Sequence, residues 1–313
     1  MNSFKCFLAS NSAEGFISHF ADCYNPADGW HTYIIKGGPG TGKSSFMKKV
    51  LKVAEKKGLS FIEVYCASDP ASLDGVILPH LKTVFMDGTA PHVVEPKFPG
   101  VCETLLDFGT FWNSDILRDK GRQIISATKE NKLCHKRAGE LIKKAGDIIK
   151  GSAELSALPD FKTAEKYIPE KGIKGRLLRC FLGGITPKGV LYFTDHIKAD
   201  RLITLEGKGA EKTLRGFKER ALSCGFDTVC FENPVIPTLT DGVFIPELSL
   251  FAVRSKFLPE NEEFLQYITL AAEEIAKAKV IHDELEGYYI SAMDYDALNR
   301  FTDEFLDIPY IYF

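Results

Sequence analysis

Gly37, Gly42, Lys43 and Ser44 stand in the stretch KGGPGTGKSS at the spacing G-x-x-x-x-G-K-S. Glycines at 37, 38, 40 and 42 let the backbone turn tightly and bring its N–H groups close to phosphate oxygens. A helix starting near Lys43 would aim the positive end of its dipole at the same anion. In this Walker A pattern Lys43 is placed to reach β- and γ-phosphates and the Ser44 hydroxyl to ligate Mg²⁺; Pro39, Thr41 and Ser45 complete the loop. A glycine-rich turn without a ligand would have the same composition.

The flanks favour the phosphate reading, because the pattern has meaning only between a strand and a helix. TYII before it reads as a short buried strand. SSFMKKVLKVAEKK after it carries Phe46, Val50, Leu51 and Ala54 at helical spacing, and Gly58 stops it. A metal-phosphate site also needs carboxylates. TVFMD has the form of an apolar strand ending in Asp87, where an Asp can hold Mg²⁺. The competing role for Asp87 is to open the turn DGTAP. Asp69, in SDPAS after the strand LSFIEVYC, is the second candidate for metal or base work. His92 is expected to be a solvated loop histidine.

The chain contains an internal repeat. KCFLASNSAEGF (5–16) matches RCFLGGITPKGV (179–190), and SLDGVILPHL (72–81) matches LTDGVFIPEL (239–248). Between these anchors YIIKGGPGTGKSS lies opposite LITLEGKGAEKTL, which pairs Lys43 with Lys212 and Ser44 with Thr213. The second copy then has Glu206 for Gly37, Glu211 for Gly42, Ile236 for Asp69 and Arg254 for Asp87. Added side chains and negative charge oppose phosphate binding, so the second half is expected to be nucleotide-free, with Lys212 pairing Glu206 or Glu211. Lys212 and Thr213 leave open an anion contact. Asp74 and Asp241, kept in both copies, read as a turn into a strand.

Each core is followed by a polar-apolar helical region expected to form a helical pair, and residues 151–175, with their Pro and Gly breaks, read as the connection between halves. This division gives domains 1–172 and 173–313. DFG at 107–109 lacks the other kinase motifs and reads as chance.

Composition bounds the rest. The 313 residues are 45% hydrophobic and 26% charged, with net charge −3, which suits a globular chain and disfavours general nucleic-acid binding. Eight scattered cysteines have no zinc spacing, Cys134-His135 included, and read as reduced core residues. The apolar run at the N-terminus is too short for a signal peptide, and none is long enough to span a membrane, so a cytoplasmic location is expected.

At KGGPGTGKSS, SDPASLDGVILP, DGTAPH and GGITPKG the chain resembles an uncharacterised bacterial family of tandem P-loop NTPase-type ATP-binding proteins, over essentially its whole length. The resemblance implies two P-loop halves that bind ATP and supplies no substrate. Members often keep an intact second Walker A, from which Glu206 and Glu211 depart. The expected architecture is α/β, with three-layer P-loop NTPase-type parallel sheets in two tandem repeats. The expected function is Mg²⁺-dependent ATP hydrolysis at one site, with Lys43, Asp87 and Asp69 catalytic and Ser44 and Asp87 on the metal. A small-molecule kinase, or a nucleotide sensor docking a protein partner through its helices, are the alternatives.

Overall fold

The computed structural model describes residues 3–152, 159–207 and 209–307. It is a mixed α/β protein. The chain opens with β1 (Phe4–Cys6) and the hairpin β2 (Ala9–Ser12) and β3 (Gly15–Ser18), then runs through β4 (His31–Lys36), α1 (Lys43–Lys56), β5 (Ile62–Tyr65), β6 (Leu73–Leu78), β7 (Thr83–Asp87) and β8 (Glu103–Asp107). The short α2 (Ser114–Asp119), the long α3 (Gly121–Ser152) and α4 (Phe161–Glu165) follow. A similar succession comes next: β9 (Leu177–Phe181), the hairpin β10 (Gly183–Thr186) and β11 (Gly189–Tyr192), β12 (Arg201–Leu205), α5 (Ala210–Ser223), β13 (Thr228–Glu232), β14 (Thr240–Ile245) and β15 (Leu250–Arg254). The long α6 (Glu262–Ile290) and α7 (Tyr295–Asp307) end it.

The compact units do not follow the division at 172/173. One comprises Met1–Cys23 with Ala138–Ala272, the other Tyr24–Arg137 with Glu273–Phe313. The helical regions also differ from expectation: the first is the short α2 and one long helix, whereas the second is the pair α6 and α7. Of the connection read at 151–175, residues 153–158 lie outside the described residues, as does Lys208 in the second loop.

In the unit built on Tyr24–Arg137 the strands lie in the order β5-β6-β7-β4-β8. β4 runs parallel to β7 and β8, but β6 is antiparallel to both β5 and β7. In the other unit the order is β12-β15-β14-β13-β9, with the same mixture of directions. The expectation of parallel sheets is therefore corrected. The connections β5–β6 and β6–β7 are short enough for antiparallel turns, and a parallel neighbour needs a longer crossover such as α1. Asp74 and Asp241 also lie inside strands β6 and β14, not in turns before them.

The site-bearing unit packs α1 and α7 with its sheet. Phe46, Met47, Val50 and Ala54 of α1 are buried with Tyr33, Val76 and Phe85 of the strands. The Tyr33 and Phe85 rings stack at 4.7 Å, and Phe305 of α7 meets Tyr33 edge-on at 5.3 Å. Burying such rings stabilises by roughly 1.5–3 kcal/mol each, which fixes α1, and with it the preceding loop, against the strand ends.

Candidate functional site

The loop 37–42 joins the buried β4 to α1, and its shape depends on glycine. Gly40 (φ 69°) and Gly42 (φ 87°) occupy the left-handed region, which costs an L residue roughly 1–2 kcal/mol. Neighbours also exclude side chains there. A Cβ on Gly38 would run into the Tyr289 ring, one on Gly40 would meet the Glu286 carbonyl at 2.9 Å, and one on Gly42 would meet Leu298 at 2.8 Å. The loop is further tied by Thr41 Oγ1, which donates to the Gly38 carbonyl, and by the Tyr295 hydroxyl, which donates to the Gly40 carbonyl at 2.6 Å.

Lys43, the first residue of α1, is buried and folds back over the loop. Its ammonium donates to the carbonyls of Gly38 (2.7 Å) and Gly37 (3.1 Å) and lies 3.6 Å from Asp87 Oδ2. Asp87 closes β7 opposite Ile35 of β4 in the parallel register, so the strand ends bring lysine and carboxylate together. Asp87 also has the turn role weighed against it: Oδ1 accepts from the Thr89 amide and hydroxyl. Oδ1 thus belongs to the turn, while Oδ2 faces the Lys43 ammonium. The Ser44 hydroxyl accepts from the Leu73 amide at 3.0 Å, which docks the loop's helix onto β6.

Asp69 is held by a turn. Its oxygens accept from the Ala71 amide and the Ser72 hydroxyl, and Lys279 lies 3.7 Å away. His92 is not the solvated histidine expected. It is buried, with Nδ1 3.0 Å from the Asp87 carbonyl and Nε2 3.4 Å from Asp74 Oδ2. Burial alone would lower the His92 pKa, but Asp74 and the neighbouring Asp87 outweigh it and hold the ring above its ordinary value. Asp74 is the residue that motif reasoning missed: it lines the same cavity as Lys43 and Asp87. A buried-strand register for SLDGVIL, in place of a turn, would have found it.

A cavity of about 360 Å³ opens beside these residues. The loop, Asp69, Asp74 and Asp87 line its sheet side; α3 adds Asn131 and His135, and α6 adds Lys279, His282 and Glu286. Cys66 is there too, and burial and Asp74 keep its thiol well above its ordinary pKa. Ser44, Asp74 and Asp87 present oxygen atoms of the kind Mg²⁺ takes to this cavity. His282, Asp283 and Glu286 have ligand atoms within 4.8 Å of one another, although Asp283 is paired with Lys279.

The second loop is built differently from what matching its letters suggests. Leu205 sits opposite Arg254 on β15 as Ile35 sits opposite Asp87 on β7. The helices α1 and α5 both have 14 residues and are both followed, two residues on, by a glycine of positive φ, Gly58 or Gly225. Counted from the matched strand residues Ile35 and Leu205, residues 36–42 lead to the helix in the first case and 206–209 in the second, three fewer. Ala210 therefore stands in the place of Lys43 and Glu211 in that of Ser44, while Lys212 and Thr213 lie further along the helix. Glu206 corresponds to Lys36, not to Gly37. Glu211 is ion-paired with Arg215 at 2.9 Å, not with Lys212. Arg254 does occupy the place of Asp87, and it lies 3.6 Å from the buried Asp241. Burial pushes the Asp241 carboxyl up to about 7 against the pull of Arg254 and of Asn233, which donates to both its oxygens. The adjoining cavity is about 640 Å³ and includes Glu206, Glu211 and Arg254 in its wall.

No protein-family model matches the chain, and no curated protein or solved structure matches it either. No helix among the described residues is long and apolar enough to cross a membrane. The eight cysteines are free, and six of them are buried.

Proposed function

We propose that the unit built on Tyr24–Arg137 binds Mg-ATP on the loop Gly37–Ser45 and hydrolyses it. The observation that carries this reading is the convergence of three features at the ends of two parallel strands. These are a loop shaped by left-handed glycines, a lysine folded over it, and Asp87 at 3.6 Å from that lysine. Lys43 would move from the loop carbonyls to the β- and γ-phosphates, a short displacement for a flexible chain. Loop amides and the α1 N-terminus would take the remaining phosphate oxygens. Ser44 and Asp87, with Asp74 of the same cavity wall, would hold Mg²⁺, which when bound neutralises charge on the β- and γ-phosphates. His92 would keep Asp74 oriented, and Asp69, held by its turn, is the candidate for orienting the attacking water.

The two successions of strands and helices are read as a duplicated P-loop core in three layers. Its second copy has lost the loop by a three-residue shortening and the metal carboxylate by Arg254. Phosphate release from Mg-ATP by the purified protein, lost in Lys43→Ala, tests the reading. A folded protein with neither ATP binding nor turnover contradicts it.

A further inference from the structure

Helix α6 lies along the cavity with one face toward it: Lys279, His282, Glu286 and Ile290 recur at helical spacing in its wall. Two contacts fix its course. At one end the Glu286 carbonyl and Ile290 crowd Gly40 of the loop. At the other, about 10 Å along the axis at 1.5 Å per residue, the Lys279 ammonium lies 3.7 Å from Asp69 Oδ2. The helix therefore brings a second lysine into the wall of the cavity, beside Asp69.

The charges around it explain what such a lysine could do. Asp69, Asp74 and Asp87 line the cavity, and a metal triphosphate brings further negative charge. Asp69 does not depend on Lys279 for its position, since its turn hydrogen bonds hold it. The other partner of Lys279 is Asp283, one turn along the same helix and half exposed, an ion pair that water readily replaces. Burial would lower the Lys279 pKa, but Asp283 and Asp69 raise it, so the side chain stays charged. It is thus a cation on a flexible stem, held inside the cavity by a weak pair.

We propose that Lys279 contacts the terminal phosphate of the bound nucleotide, so that α6 distinguishes a nucleoside triphosphate from a diphosphate. The inference rests on the nucleotide reading above and adds a residue to it. Lys43 serves the phosphates from the loop side and Lys279 the terminal phosphate alone from the helical side.

The test is calorimetric titration of the full chain, its Lys279→Ala and its Lys279→Arg variants with Mg-ADP and with a non-hydrolysable Mg-ATP analogue. Loss of one charge-assisted contact should weaken binding of the ATP analogue by about tenfold in Lys279→Ala. ADP affinity should stay within about twofold, which also shows that loop and fold are intact. Lys279→Arg should retain most of the preference. Equal weakening for both nucleotides, or no weakening for either, overturns the role of Lys279 while leaving the loop as the binding site. If the unaltered chain binds neither nucleotide, the nucleotide reading falls and this inference with it.

Discussion

The Lys43 ammonium and Asp87 Oδ2 lie 3.6 Å apart, both largely buried, at the ends of neighbouring elements that meet only in the folded chain. Lys43 begins the helix after β4, and Asp87 ends β7, the parallel neighbour of β4. Removing either partner would leave a buried charge facing an altered site. Lys43→Ala is expected to weaken ATP-analogue binding by about 100-fold or more with the circular dichroism of the native fold retained.

The carboxylates should separate by role. Asp87→Asn is expected to lower Mg²⁺-dependent turnover by about two orders of magnitude or more and to weaken binding more with Mg²⁺ than without it. Asp74→Asn should show a smaller effect of the same kind, because Asp74 lines the same cavity and also holds His92. Asp69→Asn should lower turnover with little change in affinity. A large affinity loss at Asp69 with none at Asp87 would move the metal to the other strand end.

The His92–Asp74 pair gives a pH dependence. The folded-state pKa of His92 is raised above its ordinary 6.5, so its stabilisation is complete below that value and is lost as pH rises through the folded pKa. Urea midpoints of the unaltered protein should therefore carry a decline that begins as the pH is raised past 6.5, and His92→Gln should lessen it. An unchanged slope in His92→Gln would remove the pair as its cause.

How far the site could be read from sequence depended on whether its residues were close in the chain. The loop, its helix and Asp87 belong to local patterns, and these were legible. Asp74 and His92 were not, because their meeting depends on β6 running antiparallel to β7, whereas a parallel sheet was expected. The second loop misled for another reason. Matching letters put Lys212 opposite Lys43, but strand register and helix ends put the gap inside the loop, so that Ala210 takes that place. The covering of the loop by Tyr289 and Tyr295 had no local signal, being a contact across some 250 residues.

That covering has its own consequence. Tyr295→Phe removes the hydroxyl that donates to the Gly40 carbonyl, and should cost about 1 kcal/mol of stability, read as a lowered denaturation midpoint. Gly42→Ala should cost more, since it combines a φ of 87° with a collision against Leu298. Equal stability in Gly42→Ala and the unaltered protein would show that the loop readily takes another shape.

The central claim is one nucleotide per chain, bound on Gly37–Ser45 and not at the shortened loop 206–209. Titration of the full chain with a non-hydrolysable ATP analogue and Mg²⁺ measures it directly. The expected stoichiometry is about one, vanishing in Lys43→Ala and unchanged in Lys212→Ala. A stoichiometry of about two, or binding that survives Lys43→Ala and is lost in a folded Lys212→Ala, would contradict it.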